Sequence, residues 1–190
     1  MKRLTPIALS ILLAASVASC SRDNRANTND RPAGGGAVGT SGASADRDFV
    51  MDMTQGNRGE IELSKMAEER ATDPQVKDFA RMLVTDHTKA LADLREAAAA
   101  ANAQLSTANE ENRDLRNLQE DLAKLTGHEF DRKYVDAMVD KHEAAVKAIE
   151  KKVDSESPQI RQWATQTLPV VQKHLEHAKQ LKETLEKAHT

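Results

Sequence analysis

Two runs of regularly spaced apolar residues on either side of Asp73-Pro74 constrain this chain more than any other feature. Before the proline, Phe49, Met53, Gly56, Glu60, Leu63 and Ala67 follow one another in steps of four and three. After it, Val76, Phe79 or Ala80, Leu83, His87, Ala90 and Leu94 do the same. That spacing puts each set on one face of an α-helix, and two such faces in succession require a shared core. Asp73 is suited to cap the second helix, and Pro74 fits its first turn, where the missing N–H costs nothing. Two polar residues interrupt the seams, Glu60 and His87. They lie about equally far from the proline, so an antiparallel hairpin sets them face to face at one level.

The same arrangement recurs further on. Ser157-Pro158-Gln159-Ile160-Arg161-Gln162-Trp163-Ala164 repeats Asp73-Pro74-Gln75-Val76-Lys77-Asp78-Phe79-Ala80 by residue class, and Glu129-Phe130 matches Asp48-Phe49. A seam at Val135, Met138, His142, Ala145 and Ile149 precedes Pro158. One at Ile160, Trp163 or Ala164, Thr167, Val171, His174, Ala178, Leu181 and Leu185 follows it. His142 and His174 flank Pro158 as Glu60 and His87 flank Pro74. An internal repeat of a helical hairpin is the reading this supports. Roughly twenty-five residues separate the second and third long helices, too many for a tight turn. They include a shorter amphipathic stretch, Glu110 to Leu125, closed by Gly127. A connection of that length can return along a bundle about 40 Å long, at 1.5 Å per helical residue. The expected fold is therefore all-α: a ferritin-like four-helix bundle of two similar hairpins, with an extra short helix in the crossover. Pro169, inside the last helix, is expected to kink or break it.

The N-terminus reads as a targeting segment. Lys2 and Arg3 precede an apolar run, Ile7 to Val17, too short for a good membrane span. Val17-Ala18-Ser19-Cys20 resembles the lipobox of bacterial lipoproteins, in which cleavage precedes a cysteine that is then acylated. Cys20 is the only cysteine, which excludes a disulfide framework or a multi-cysteine metal site. The domain organisation is then residues 1–19 as signal peptide, 20–46 as lipidated cysteine and tether, and 47–190 as the bundle. Residues 21–46 are rich in Gly, Ser, Asn and Ala. Such a chain reaches roughly 30 Å. Ser21 after the cysteine favours the outer membrane, facing the periplasm, by resemblance to enterobacterial sorting rules. Removing Lys2 and Arg3 leaves 25 basic against 30 acidic residues, a net charge of −5. No basic run stands out, so nucleic acid is not an expected partner, and contact with the membrane is expected through the lipid alone.

Three stretches, GEIELSKMAEERATDPQVKDFARMLVTDHTKA, FDRKYVDAMVDKHEAAV and LPVVQKHLEHAK, closely resemble the bacterial family called domain of unknown function 4142. The resemblance spans about residues 47–186. It implies a ferritin-like bundle in an outer-membrane or exported protein, and it implies no reaction.

Glu60, His87, His142 and His174 fall one to a long helix, pointing inward near mid-height. Three imidazoles and a carboxylate suit one transition-metal ion such as Zn, Fe or Cu. Asp86, Glu143 and His177, with Asp140 and Glu176, are candidates for a second layer around such an ion. Gly56 and Gly59 beside Glu60 would allow close approach of a backbone. The residues three before the histidines are Val84, Val139 and Val171 rather than glutamate, so the paired Glu-x-x-His ligands of di-iron bundles are missing. A buried polar network that fixes helix register needs no ion at all. The sequence contains no Ser-His-Asp elbow, Gly-rich phosphate loop or HExxH zinc-protease motif. The first expectation is accordingly non-enzymatic: a lipid-anchored interaction or stress-protective module of the cell envelope, with an envelope protein or a second copy as partner. The second is a His-rich mononuclear metal-binding or metal-dependent redox protein, and general acid–base catalysis is a third.

Overall fold

A computed structural model describes residues 40–103 and 113–188 of the 190-residue chain. The expected signal peptide, Cys20 and most of the tether lie outside the described residues. Five helices follow in order: α1 (Thr40–Arg70), α2 (Pro74–Ala100), α3 (Arg113–Ala123), α4 (Gly127–Glu150) and α5 (Pro158–Lys187). None of the described helices is long and apolar enough to cross a membrane.

The long helices pack in a ring in which α1 contacts α2, α2 contacts α5, α5 contacts α4 and α4 closes back on α1. Each half is the expected hairpin. At the first turn, Asp73 accepts from the N–H of Gln75 at 2.7 Å, and Pro74 opens α2. At the second, Ser157 accepts from the N–H of Ile160 at 3.4 Å, and Pro158 opens α5. The crossover carrying α3 lets α4 start at the same end as α2, so every neighbouring pair in the ring is antiparallel.

Two apolar cores fill the bundle. One, at the Pro74 end, joins Leu63, Ala67, Val76, Phe79, Phe130 and Leu181. The other, at the far end, joins Phe49, Leu94, Ile149, Ile160 and Trp163. Between them lies the one level at which all four long helices present polar side chains, those of Glu60, His87, His142 and His174. Both buried aromatics with polar edges find partners. The Trp163 indole N–H donates to Ala90 O at 3.0 Å, and the Tyr134 hydroxyl lies 2.9 Å from Ser64 Oγ.

The FDxxYV stretch that helped mark the family resemblance is explained by packing. Phe130, Tyr134 and Val135 are fully buried in the Pro74-end core. Asp131 reaches across to the first hairpin turn, where its carboxylate accepts from Thr72 N, the Thr72 hydroxyl (2.6 Å) and Asp73 N (2.8 Å). It ties the second hairpin to the turn of the first and satisfies backbone donors that would otherwise be stranded. In α3, Leu122 is buried and Leu115 and Leu118 pack on the same core. The Arg70 guanidinium donates to the carbonyls of Ala123 (3.0 Å) and Leu125 (2.9 Å), which the end of α3 leaves without helical partners. Gly127, with φ +59°, makes the left-handed turn from α3 into α4.

Three details differ from the sequence reading. Helix α1 takes in residues 40–46, which read as the end of the tether. Asp46 in this stretch is buried and pairs with Lys152 at 2.7 Å, and the Lys152 ammonium also donates to Ala45 O. Helix α5 continues through Pro169 rather than breaking there, and the Thr165 carbonyl, which loses its helical donor, is exposed to water. The glycines beside Glu60 do not admit a neighbouring backbone. A Cβ at Gly56 would meet nothing, and one at Gly59 would meet the side chain of Leu115 at 3.0 Å.

Candidate metal centre in the bundle core

The seams bring Glu60 from α1, His87 from α2, His142 from α4 and His174 from α5 to one level, with 5, 4, 0 and 3% of their surface exposed. The three imidazole centroids form a triangle with every side 5.4 Å. One nitrogen from each ring can be chosen so that all lie within 4.8 Å of one another, a grouping that could hold a metal ion. His87 Nε2 stands 3.4 Å from His142 Nε2 and 3.1 Å from Glu60 Oε2. Glu60 touches His87 but lies outside that grouping, which comprises the three imidazoles.

One nitrogen of each ring is engaged by a group outside the trio, and that partner sets the tautomer. His142 Nδ1 donates to Met138 O at 2.8 Å, one turn back in its own helix. That leaves Nε2 with a lone pair. His87 Nδ1 faces Asn57 Oδ1 at 2.9 Å, while the Asn57 amide N–H group donates to Met53 O at 2.6 Å. The amide is thereby oriented with its oxygen toward the ring, so Nδ1 carries the proton and Nε2 the lone pair. His174 Nε2 donates to Asp86 Oδ2 at 2.8 Å, which leaves the lone pair on Nδ1. Nδ1 of His174 is buried without a hydrogen-bond partner.

The electrostatics follow. Burial pushes the His174 imidazole down to about 4, against the opposing pull of Asp86. Burial also lowers His87, with Glu60 pulling the other way. Both rings are therefore neutral at pH 7, and no neutral tautomer of His87 suits both Asn57 and an ionised Glu60. A proton on Nδ1 suits Asn57 but sets a lone pair against the Glu60 oxygen; a proton on Nε2 reverses the mismatch. Burying such a polar contact unmatched costs roughly 1–3 kcal/mol. A cation among the lone pairs removes the mismatch and gives His174 Nδ1 its missing partner.

Of the outer candidates, only Asp86 touches the cluster. Glu143, next to His142 in sequence, turns to the surface and pairs with Lys179 at 2.8 Å, which holds its carboxyl below the usual range. His177 packs edge-on against Phe79, centroids 4.9 Å apart, in the Pro74-end core. Asp140 is exposed, and Glu176 accepts from Gln180 at 2.9 Å. Asn57, which orients His87, was not singled out in the sequence. Its signal was its place one turn before Glu60 on the same face.

The sequence matches the family described as Domain of unknown function (DUF4142) over residues 32–181. No curated protein matches it. Among solved structures, it is similar to a DUF305 fragment from Deinococcus radiodurans, with a TM-score of 0.63 at 15% identity, covering 75% of this chain and 96% of that one. It is similar also to CopM in its Cu(II)-bound form, with a TM-score of 0.61 at 18% identity, covering 73% of this chain and 96% of that one. At these identities the likeness is one of fold.

Proposed function

The chain belongs to the DUF4142 family, whose description names no activity, and from its own side chains we propose that it binds one divalent transition-metal ion in the bundle core. His87, His142 and His174 are the ligands, and Glu60 is the fourth donor. The observation that carries this reading is the inward set of lone pairs. Each imidazole is held by an outer hydrogen bond that keeps one nitrogen unprotonated, and the one on His174 is buried with no partner.

The donor chemistry narrows the ion. Neutral imidazoles suit copper, zinc, iron and nickel, and the carboxylate adds a hard anionic donor. A tetrahedral ion with bonds of 2.0–2.1 Å sets neighbouring donors about 3.3 Å apart. The His87–His142 and His87–Glu60 separations of 3.4 and 3.1 Å are close to this. A dication beside Glu60 and Asp86 makes a charge-balanced cluster, which favours a divalent over a monovalent ion in so buried a place. The Cu(II)-bound state of CopM, a protein of similar fold, supports copper as the first ion to test. The side chains hold the ion and keep water away from it; the ion, when bound, supplies Lewis acidity and, if it is copper or iron, access to one-electron chemistry.

In the wider reading, acylation of Cys20 tethers the bundle to the outer membrane on its periplasmic side. This rests on the charged start, apolar run and Val17-Ala18-Ser19-Cys20 sequence. Metal binding is preferred to an interaction surface because the large exposed apolar side chains among the described residues, Met51 and Val170, sit on diagonally opposed helices and form no patch. The test is metal content by mass spectrometry on tag-free protein, as isolated and after incubation with Cu(II), Zn(II) and Fe(II). The reading expects near one equivalent, lost in His87→Ala. Less than a tenth of an equivalent under every condition refutes it.

A further inference from the structure

The three imidazoles are not held alike. His87 is anchored by Asn57, itself 7% exposed, and His142 by the carbonyl of Met138, a fully buried residue in its own helix. His174 alone is anchored by a group that reaches water: the Asp86 side chain is 38% exposed, while His174 is 3%. Along the bundle axis the cluster is closed: toward the Pro74 end stand Leu83, Met138 and Ala178, all fully buried, and toward the far end stands Val171. On the seam between α4 and α5, the half-exposed Glu143 is taken up by its pair with Lys179. Glu60 and Asn57, on the α1 side, are nearly covered.

We infer that the seam between α2 and α5 is the portal for the ion, with the carboxylate of Asp86 as its solvent-side landing point and His174 as the ligand that opens. This rests on the metal-binding reading above. A strongly hydrated cation exchanges its waters most easily where a carboxylate is already partly solvated, and Asp86 offers an oxygen there, hydrogen-bonded to the ligand that must receive the ion. Asp86 is then a positioning residue with two separable duties. Its charge draws the cation to the seam, and its hydrogen bond latches His174 in the closed, ligating orientation. Asparagine at this position retains an acceptor for His174 Nε2–H and loses the charge, whereas alanine loses both.

The experiment measures capture and release in the whole protein carrying one equivalent of Zn(II) and, in a parallel series, Cu(II). Capture is followed by stopped flow at low and high salt, and release by transfer to excess EDTA. Asp86→Asn should capture several-fold more slowly, with a flattened salt dependence, and release at close to the wild-type rate. Asp86→Ala should capture as slowly and also release about tenfold faster, in the range of second-layer effects on metal sites. Asp121→Asn, which removes an exposed carboxylate on α3 away from the cluster, serves as comparator. Its capture rate and salt dependence should stay as in the wild type. Equal capture in wild type and Asp86→Asn, or release from Asp86→Ala no faster than from wild type, overturns the portal while leaving the metal site standing. Failure of the wild type to take up either ion overturns both.

Discussion

Without metal, the bundle should weaken as the pH falls below that of free histidine, well before its carboxylates titrate. His174 falls from an ordinary value of 6.5 to about 4 in the folded protein because it is buried. A base depressed by folding binds its proton first in the unfolded chain. Its contribution is therefore fully present above pH 6.5 and is lost as the pH falls toward 4. At 1.36 kcal/mol per unit, His174 alone removes about 2 kcal/mol by pH 5 and about 3 kcal/mol below pH 4. His87 shifts in the same direction and adds to the loss. The assay is urea unfolding of chelator-stripped protein, followed by helical circular dichroism at pH 7, 6 and 5, beside His174→Gln. The drop between pH 7 and 5 should be smaller in the variant by about 2 kcal/mol. Parallel curves for the two proteins would refute the claim that His174 is buried in its neutral form.

Three other outcomes follow from the geometry. Asp131→Asn exchanges one acceptor oxygen for a donor opposite Thr72 and Asp73. It should cost roughly 2–3 kcal/mol in chemical denaturation, and a loss under 0.5 kcal/mol would contradict the clamp at the first hairpin turn. Gly127→Ala places a Cβ on a backbone at φ +59° and should lower stability by about 1–2 kcal/mol, read as a lower melting temperature; an unchanged or higher value contradicts it. Cys20→Ala should abolish incorporation of radiolabelled fatty acid in cells, and equal labelling of the two proteins would sink the lipoprotein reading.

Much of the fold was legible because it depends on periodicity and punctuation, both local. Apolar residues at steps of three and four gave the buried faces. Asp73-Pro74 and Ser157-Pro158 marked two helix starts, and near-equal distances paired Glu60 with His87 and His142 with His174; that the two pairs share one level became visible only with the hairpins packed together. The surroundings of those groups were harder to read. Asp86 and Glu143 each neighbour a seam histidine, and each is turned about 100° from it around its helix. Both turns lead to α5, that of Asp86 to His174 and that of Glu143 to Lys179. What separates them is which residue of α5 stands opposite, and that depends on the register between helices. His177 lies one turn from His174, and that turn carries it out of the polar level to Phe79. The start of α1 was misread because an Ala, Gly and Ser stretch has no seam of its own. What fixes its end is the pairing of Asp46 with Lys152, more than a hundred residues away.

The central claim is that these side chains enclose one ion, and anomalous diffraction from metal-loaded crystals addresses it directly. Data collected on both sides of the absorption edge of bound copper or zinc should give one strong peak in the bundle core. That peak should lie about 2.0–2.2 Å from His87 Nε2, His142 Nε2 and His174 Nδ1. A core without a peak, with any bound metal confined to surface carboxylates or to His177, would contradict it.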